Sequence, residues 1–75
     1  DGKEVDFIVG DDIAIEVKAA ELPDHRHLKG LTAIGEESSF RHRILVCMAP
    51  EPRISKGIEI LPLKEFLAKL WAGML

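Results

Sequence analysis

Apolar and polar residues alternate twice near the start of the chain, in VDFIVGDDIAIEVKA from Val5 to Ala19. Val5, Phe7 and Val9 share one side with Asp6 and Ile8 on the other. Ile13, Ile15 and Val17 then alternate with Ala14, Glu16 and Lys18. Period-two alternation predicts two strands, and Gly10-Asp11-Asp12 between them reads as a hairpin loop. Across a three-residue loop Val9 faces Ile13, Phe7 faces Ile15, Val5 faces Val17 and Asp6 faces Glu16. A slip of one residue would mix every face. The apolar pattern therefore selects a register with Asp6, Glu16 and Lys18 on one side of the sheet.

The pattern then changes period. Pro23 and Asp24 are helix-start signals, with Asp24 as N-cap. Leu28, Leu31 and Ile34 recur at helical spacing, and Gly35 offers a stop. Gly30 inside this helix costs roughly 1 kcal/mol relative to Ala, which close packing on a sheet would justify. Arg43–Met48 is a short apolar run with Ile and Val, so it predicts a buried strand. Ala49-Pro50-Glu51-Pro52 forces a loop, and Ile58–Leu61 is a further short strand. Pro62 suits the first turn of a final helix, whose apolar stripe is Leu63, Phe66, Leu67, Leu70 and Trp71. Trp71 is expected in the core.

Strand, strand, helix, strand, strand, helix predicts an α/β domain. Its mixed sheet contains an antiparallel hairpin, a crossover helix that makes the next strand parallel, and a C-terminal helix. With 75 residues, the chain is a single domain or part of one, a size that buries only about 60% of its unfolded surface. It opens Asp-Gly-Lys-Glu without Met, so residues 1–75 are expected to be a partial domain, the C-terminal piece of a larger protein. One cysteine rules out an internal disulfide. Cys47 lies within ILVCM and reads as a small buried hydrophobe. No disulfide framework, signal peptide or membrane-length apolar run is present, which favours a reducing, cytoplasmic setting. A net charge of −3 gives no bulk attraction for polyanions.

The chemistry sits in the hairpin. Carboxylates from neighbouring strands are hard oxygen ligands of the kind Mg²⁺ or Mn²⁺ takes, with water completing the shell. A metal so held polarises a phosphoryl oxygen and acidifies bound water. Lys18, two residues beyond Glu16, projects to the same face and can orient an attacking water or stabilise charge on phosphorus oxygens. The structural reading of the same residues is a solvated, cross-strand-paired face, including a pair between Lys18 and Glu4. Small Ala14 and Ala19 beside the charges favour a covered face or cleft.

At these residues the chain resembles the PD-(D/E)xK nuclease superfamily core. It is most similar to the domain of unknown function at the C-terminus of many bacterial and archaeal AAA-type ATPases. The resemblance rests on Gly2-Lys3-Glu4-Val5-Asp6-Phe7, Ile15-Glu16-Val17-Lys18 and Leu28-Lys29-Gly30-Leu31, and on RILVCM and PLKEFL, all in order. It implies a restriction-endonuclease-like fold lacking its N-terminal helix and first strand, with Asp6 and Glu16 as ligands of Mg²⁺ or Mn²⁺ and Lys18 as the catalytic lysine. It also implies an ATPase module in the same parent chain and nucleic acid as a partner. The superfamily's frequent helical Gln is missing, and no P-loop GxxxxGK[ST] is present. A nuclease-like fold retained as an interaction or regulatory module of the ATPase is the alternative. An uncovered opening strand predicts a homodimer formed by edge pairing.

Three further features carry structural readings. His25 and His27 flank Arg26 at a wet helix start. Arg41-His42-Arg43 is a polar loop before a buried strand, with phosphate contact as its functional reading. Asp11 and Asp12 are turn formers.

Overall fold

The computed structural model describes residues 5–75. Its elements are β1 (Phe7–Val9), β2 (Ile13–Val17), α1 (Lys29–Glu37), β3 (His42–Cys47), β4 (Arg53–Ser55), β5 (Ile58–Pro62) and α2 (Leu63–Trp71). The strands form one mixed sheet in the order β1-β2-β3-β5-β4. β1 is antiparallel to β2, β2 and β3 are parallel through the α1 crossover, β3 and β5 are parallel, and β4 is antiparallel to β5. The α/β class with hairpin, crossover helix and C-terminal helix is thus the observed architecture.

The hairpin takes the register its apolar pattern predicts, with Val9 opposite Ile13 and Phe7 opposite Ile15. Gly10 supplies the positive φ, +61°, that the loop needs. β2 is buried on both faces. Ile13 and Ile15 join Ile44, Val46 and Leu61 in a cluster closed by Phe66 and Leu75. Ala14 joins Leu28, Leu31, Leu45, Cys47, Ile58 and Ile60 in the cluster beneath α1. Glu16 therefore rises into the helix-covered side.

β4 follows the expected Ala49–Pro52 loop, in residues to which the pattern assigns no element. Three residues, Arg53-Ile54-Ser55, are too few to show an alternation. Their pairing follows from the turn after them: Lys56 and Gly57 both have positive φ, 54° and 78°, and Ser55 faces Ile58. This is a two-residue primed turn, whose twist matches that of the strands it joins.

The two helices differ from expectation in informative ways. α1 begins at Lys29, not just after Asp24. Residues between are turns, with His27 N–H donating to the Asp24 carbonyl and Leu28 N–H to that of His25. Gly35 does not stop α1, which runs on to Glu37. Its lack of a side chain instead makes room for Arg43, because a Cβ at Gly35 would lie 2.1 Å from Arg43 Nη1. In α2 no residue is buried. Trp71 is 86% exposed and does not enter the core, and Phe66 carries the helix's packing on the sheet. The helix ends in a Schellman arrangement: Gly73 N–H donates to the Leu70 carbonyl and Met74 N–H to that of Lys69, with Gly73 at φ +69°. Among the described residues no helix is long and apolar enough to cross a membrane. Cys47 is free and buried, as expected.

Candidate functional site

Glu16 enters the site because β2 alternates. Its neighbours Ile15 and Val17 point to the opposite face, so the carboxylate projects toward α1 and is only 6% exposed. Oε2 lies 3.2 Å from Lys18 Nζ. Oε1 is buried and has no hydrogen-bond partner among the described residues. Buried polar atoms are ordinarily satisfied, and an orphan carboxylate oxygen is costly. Lys18 follows the end of β2, and its N–H donates to the Val46 carbonyl at 2.9 Å. The backbone thus continues the parallel pairing while the ammonium stays half-exposed.

Asp6 departs from the expected pairing with Glu16. Its N–H donates to the Ile15 carbonyl, the residue Phe7 already faces. Two residues of the first strand therefore address one residue of the second, as in a bulge. Its Oδ2 accepts the N–H of Val17 at 2.8 Å, a donor that a regular ladder would direct to Val5. The carboxylate is exposed, tethered beside β2 through Oδ2. Glu4, the other partner considered for Lys18, lies outside the described residues. Among the described residues no group of three or more His, Cys, Asp or Glu is placed to share a metal. Carboxylates are ligands of the kind a hard, water-rich cation takes, but the exposed Asp6 does not stand opposite the buried Glu16. The orphan Oε1 is the atom such a cation would satisfy.

Of the remaining candidates, Asp12, Arg41, Arg43 and His27 are engaged internally. Arg41 Nε donates to Asp12 Oδ2 at 2.9 Å, tying β3's start to the hairpin tip. Arg43 Nη1 donates to the Leu31 carbonyl and Nη2 to that of Lys56. His27 Nδ1 accepts the Asp24 N–H at 3.0 Å. The Arg26 guanidinium, hydrogen-bonded to Asp24, holds that carboxyl down to about 2.

One cluster escaped the sequence reading. His42 belongs to β3, not to a loop, and its Nδ1 lies 2.5 Å from Glu59 Oε2. Lys69 Nζ stands 3.8 Å from Glu59 Oε1. Glu59 and Lys69 border a groove of about 440 Å³ between β4 and α2, lined also by Arg53, Ile54 and Glu65. A signal was present: Glu59 interrupts Ile58-Glu59-Ile60 as Glu16 interrupts Ile15-Glu16-Val17.

No curated protein and no solved structure matches this chain. A family model described as a domain of unknown function, DUF4143, matches residues 1–66. That span takes in the hairpin, both crossover-linked strands and the first turn of α2, so the chain belongs to the DUF4143 family.

Proposed function

We propose that this domain is the core of a metal-dependent phosphodiesterase, a nuclease-like module appended to an AAA-type ATPase. The observation that carries this reading is Glu16: a carboxylate buried under a helix, one oxygen beside Lys18 and the other without a partner among the described residues. A solvated structural glutamate has no reason to leave an oxygen dry and unpaired. The hairpin–helix–parallel-strand order also supports the restriction-endonuclease-like fold that the sequence resembles.

Glu16 and Asp6 are the residues that would hold Mg²⁺ or Mn²⁺. The metal would polarise a phosphoryl oxygen of the nucleic-acid backbone and acidify the attacking water. Glu16 supplies a ligand fixed by its buried strand. Asp6 supplies one whose position is set by the Val17 N–H. Lys18 places a positive charge next to Glu16, where it stabilises negative charge developing on phosphorus oxygens.

A second reading, an inactive nuclease fold serving as an interaction module of the ATPase, is favoured by the commitment of Asp6 Oδ2 to the backbone. The test incubates the full-length protein with plasmid and linear DNA in Mg²⁺ or Mn²⁺, beside Glu16→Gln and Lys18→Ala. Metal-dependent cutting lost in both folded variants is the expected result. Equal background in all three selects the interaction module.

A further inference from the structure

The apolar stripe of α2 is wide, yet it is turned off the sheet. α2 packs over β3 and β5. At about 100° per residue, Phe66 points at the sheet, Lys69 falls on the flank toward β5 and Glu59, and Leu67 and Trp71 fall on the other flank. In the sheet order β1-β2-β3-β5-β4, that flank overlooks β2 and β1. The floor there is apolar too. Phe7 and Val9 stand opposite Ile15 and Ile13 and share their face, and Val17 continues it. Phe7 is 58% exposed and Val9 and Val17 about half. One face thus carries both a projecting ridge (Leu67, Leu70, Trp71) and an open trough (Phe7, Val9, Val17).

We propose that a second copy of this chain covers this face, with α2 of each protomer lying in the β1–β2 trough of its partner. Three observations select a copy over another occupant. First, ridge and trough lie side by side on one molecule, so a two-fold axis fills both at once, as an isologous interface requires. Second, the area suffices: with roughly 150–250 Å² per aromatic side chain, the six residues expose on the order of 600 Å². Flanking Leu63 and Met74, also more than half exposed, bring this near the roughly 800 Å² per partner of a standard interface. Third, the charges complement: exposed Lys64 borders the ridge beside Trp71, while exposed Asp11 stands at the hairpin tip, at the Val9 end of the trough. This interface differs from pairing through the β1 edge, because it uses side-chain faces and leaves the edge backbone free.

Sedimentation equilibrium of the 75-residue chain tests it, with Trp71→Glu and Ile8→Pro beside the parent chain and folding followed by circular dichroism. Ile8 lies on the other face of β1, so its substitution strikes edge pairing alone. The expected result is a dimer whose dissociation constant rises at least about thirtyfold in Trp71→Glu and stays within a few-fold in Ile8→Pro. Should Trp71→Glu lose its fold, Leu67→Lys, on the same flank, provides the same readout. A parent chain that is monomeric at every concentration overturns the proposal. So does an assembly broken by Ile8→Pro but not by the α2 substitutions, which assigns the contact to the strand edge.

Discussion

The guanidinium of Arg43 fills the space that a side chain at Gly35 would occupy: a Cβ there would stand 2.1 Å from Nη1 and 2.6 Å from Cζ. Arg43 reaches this place from β3 and donates to the Leu31 carbonyl within α1 at 3.0 Å. Its second nitrogen donates to the Lys56 carbonyl in the β4–β5 turn. One side chain therefore ties the crossover helix, the central strand and the far hairpin together.

Gly35→Ala opposes two effects. Ala is better than Gly in a helix by about 1 kcal/mol. Expelling Arg43 loses hydrogen bonds from a charged donor, about 1.5–3 kcal/mol when well formed. The loss wins narrowly, and the expected outcome is a net destabilisation of roughly 1 kcal/mol by urea denaturation. In an Arg43→Ala background the obstruction is gone, so the same Gly35→Ala change should stabilise. A change of the same sign in both backgrounds would show that Arg43 does not set the need for glycine.

Lys56 sits at φ 54° in the first central position of the β4–β5 turn, where Asn and Gly are preferred. Lys56→Asn keeps the backbone carbonyl that accepts from Arg43 while relieving the left-handed strain. A gain of about 0.5 kcal/mol is expected, read as a rise in the urea midpoint at unchanged slope.

The hairpin register was legible because each apolar residue has an apolar partner in only one alignment, and the structure keeps that alignment for Phe7 and Val9. Its failure at Asp6 has a local cause. A short carboxylate at the end of a ladder can take a backbone N–H for itself, and alternation does not encode that competition. Trp71 was misplaced because helical periodicity marks an apolar stripe without saying which part meets the sheet. Phe66 alone of the stripe does so closely, and Lys69 turns the rest aside by reaching Glu59. Gly35 carried an ambiguous signal, since a glycine near a helix end is both a stop and a gap. Its meaning depends on Arg43, eight positions later and on another element. The buried Glu16, by contrast, was readable from its apolar setting alone, and its burial is what the small neighbours Ala14 and Ala19 suggested.

Asp24 should titrate well below ordinary carboxyls. Arg26 holds it by a side-chain hydrogen bond, assisted by its own N–H and charge, from 3.8 down to about 2. A depressed folded value means that this group's contribution is present above about 3.8 and is lost as pH falls toward about 2. Carboxyl chemical shifts followed by NMR should show an Asp24 midpoint near 2, and Arg26→Ala should move it back toward 3.8. A midpoint unchanged by Arg26→Ala would remove the guanidinium as its cause.

Glu16 and Lys18 make separable predictions for metal. A cation that binds the folded chain alone stabilises it by about 2.7 kcal/mol at a hundred times its dissociation constant. Thermal unfolding should therefore shift upward with Mn²⁺ or Mg²⁺, and Glu16→Gln should abolish the shift. Lys18→Ala acts oppositely on binding. It removes a cation 3.2 Å from Glu16 Oε2, so without metal the variant should lose roughly 1 kcal/mol, a figure discounted for the half-exposed ammonium. The vacated carboxylate should then bind metal more tightly than in the parent chain. Lys18→Ala thus predicts a larger metal-induced shift together with lost cutting, while Glu16→Gln predicts loss of both. Equal metal shifts in the parent chain and Glu16→Gln would place any bound cation elsewhere and leave Glu16 and Lys18 as a buried structural pair.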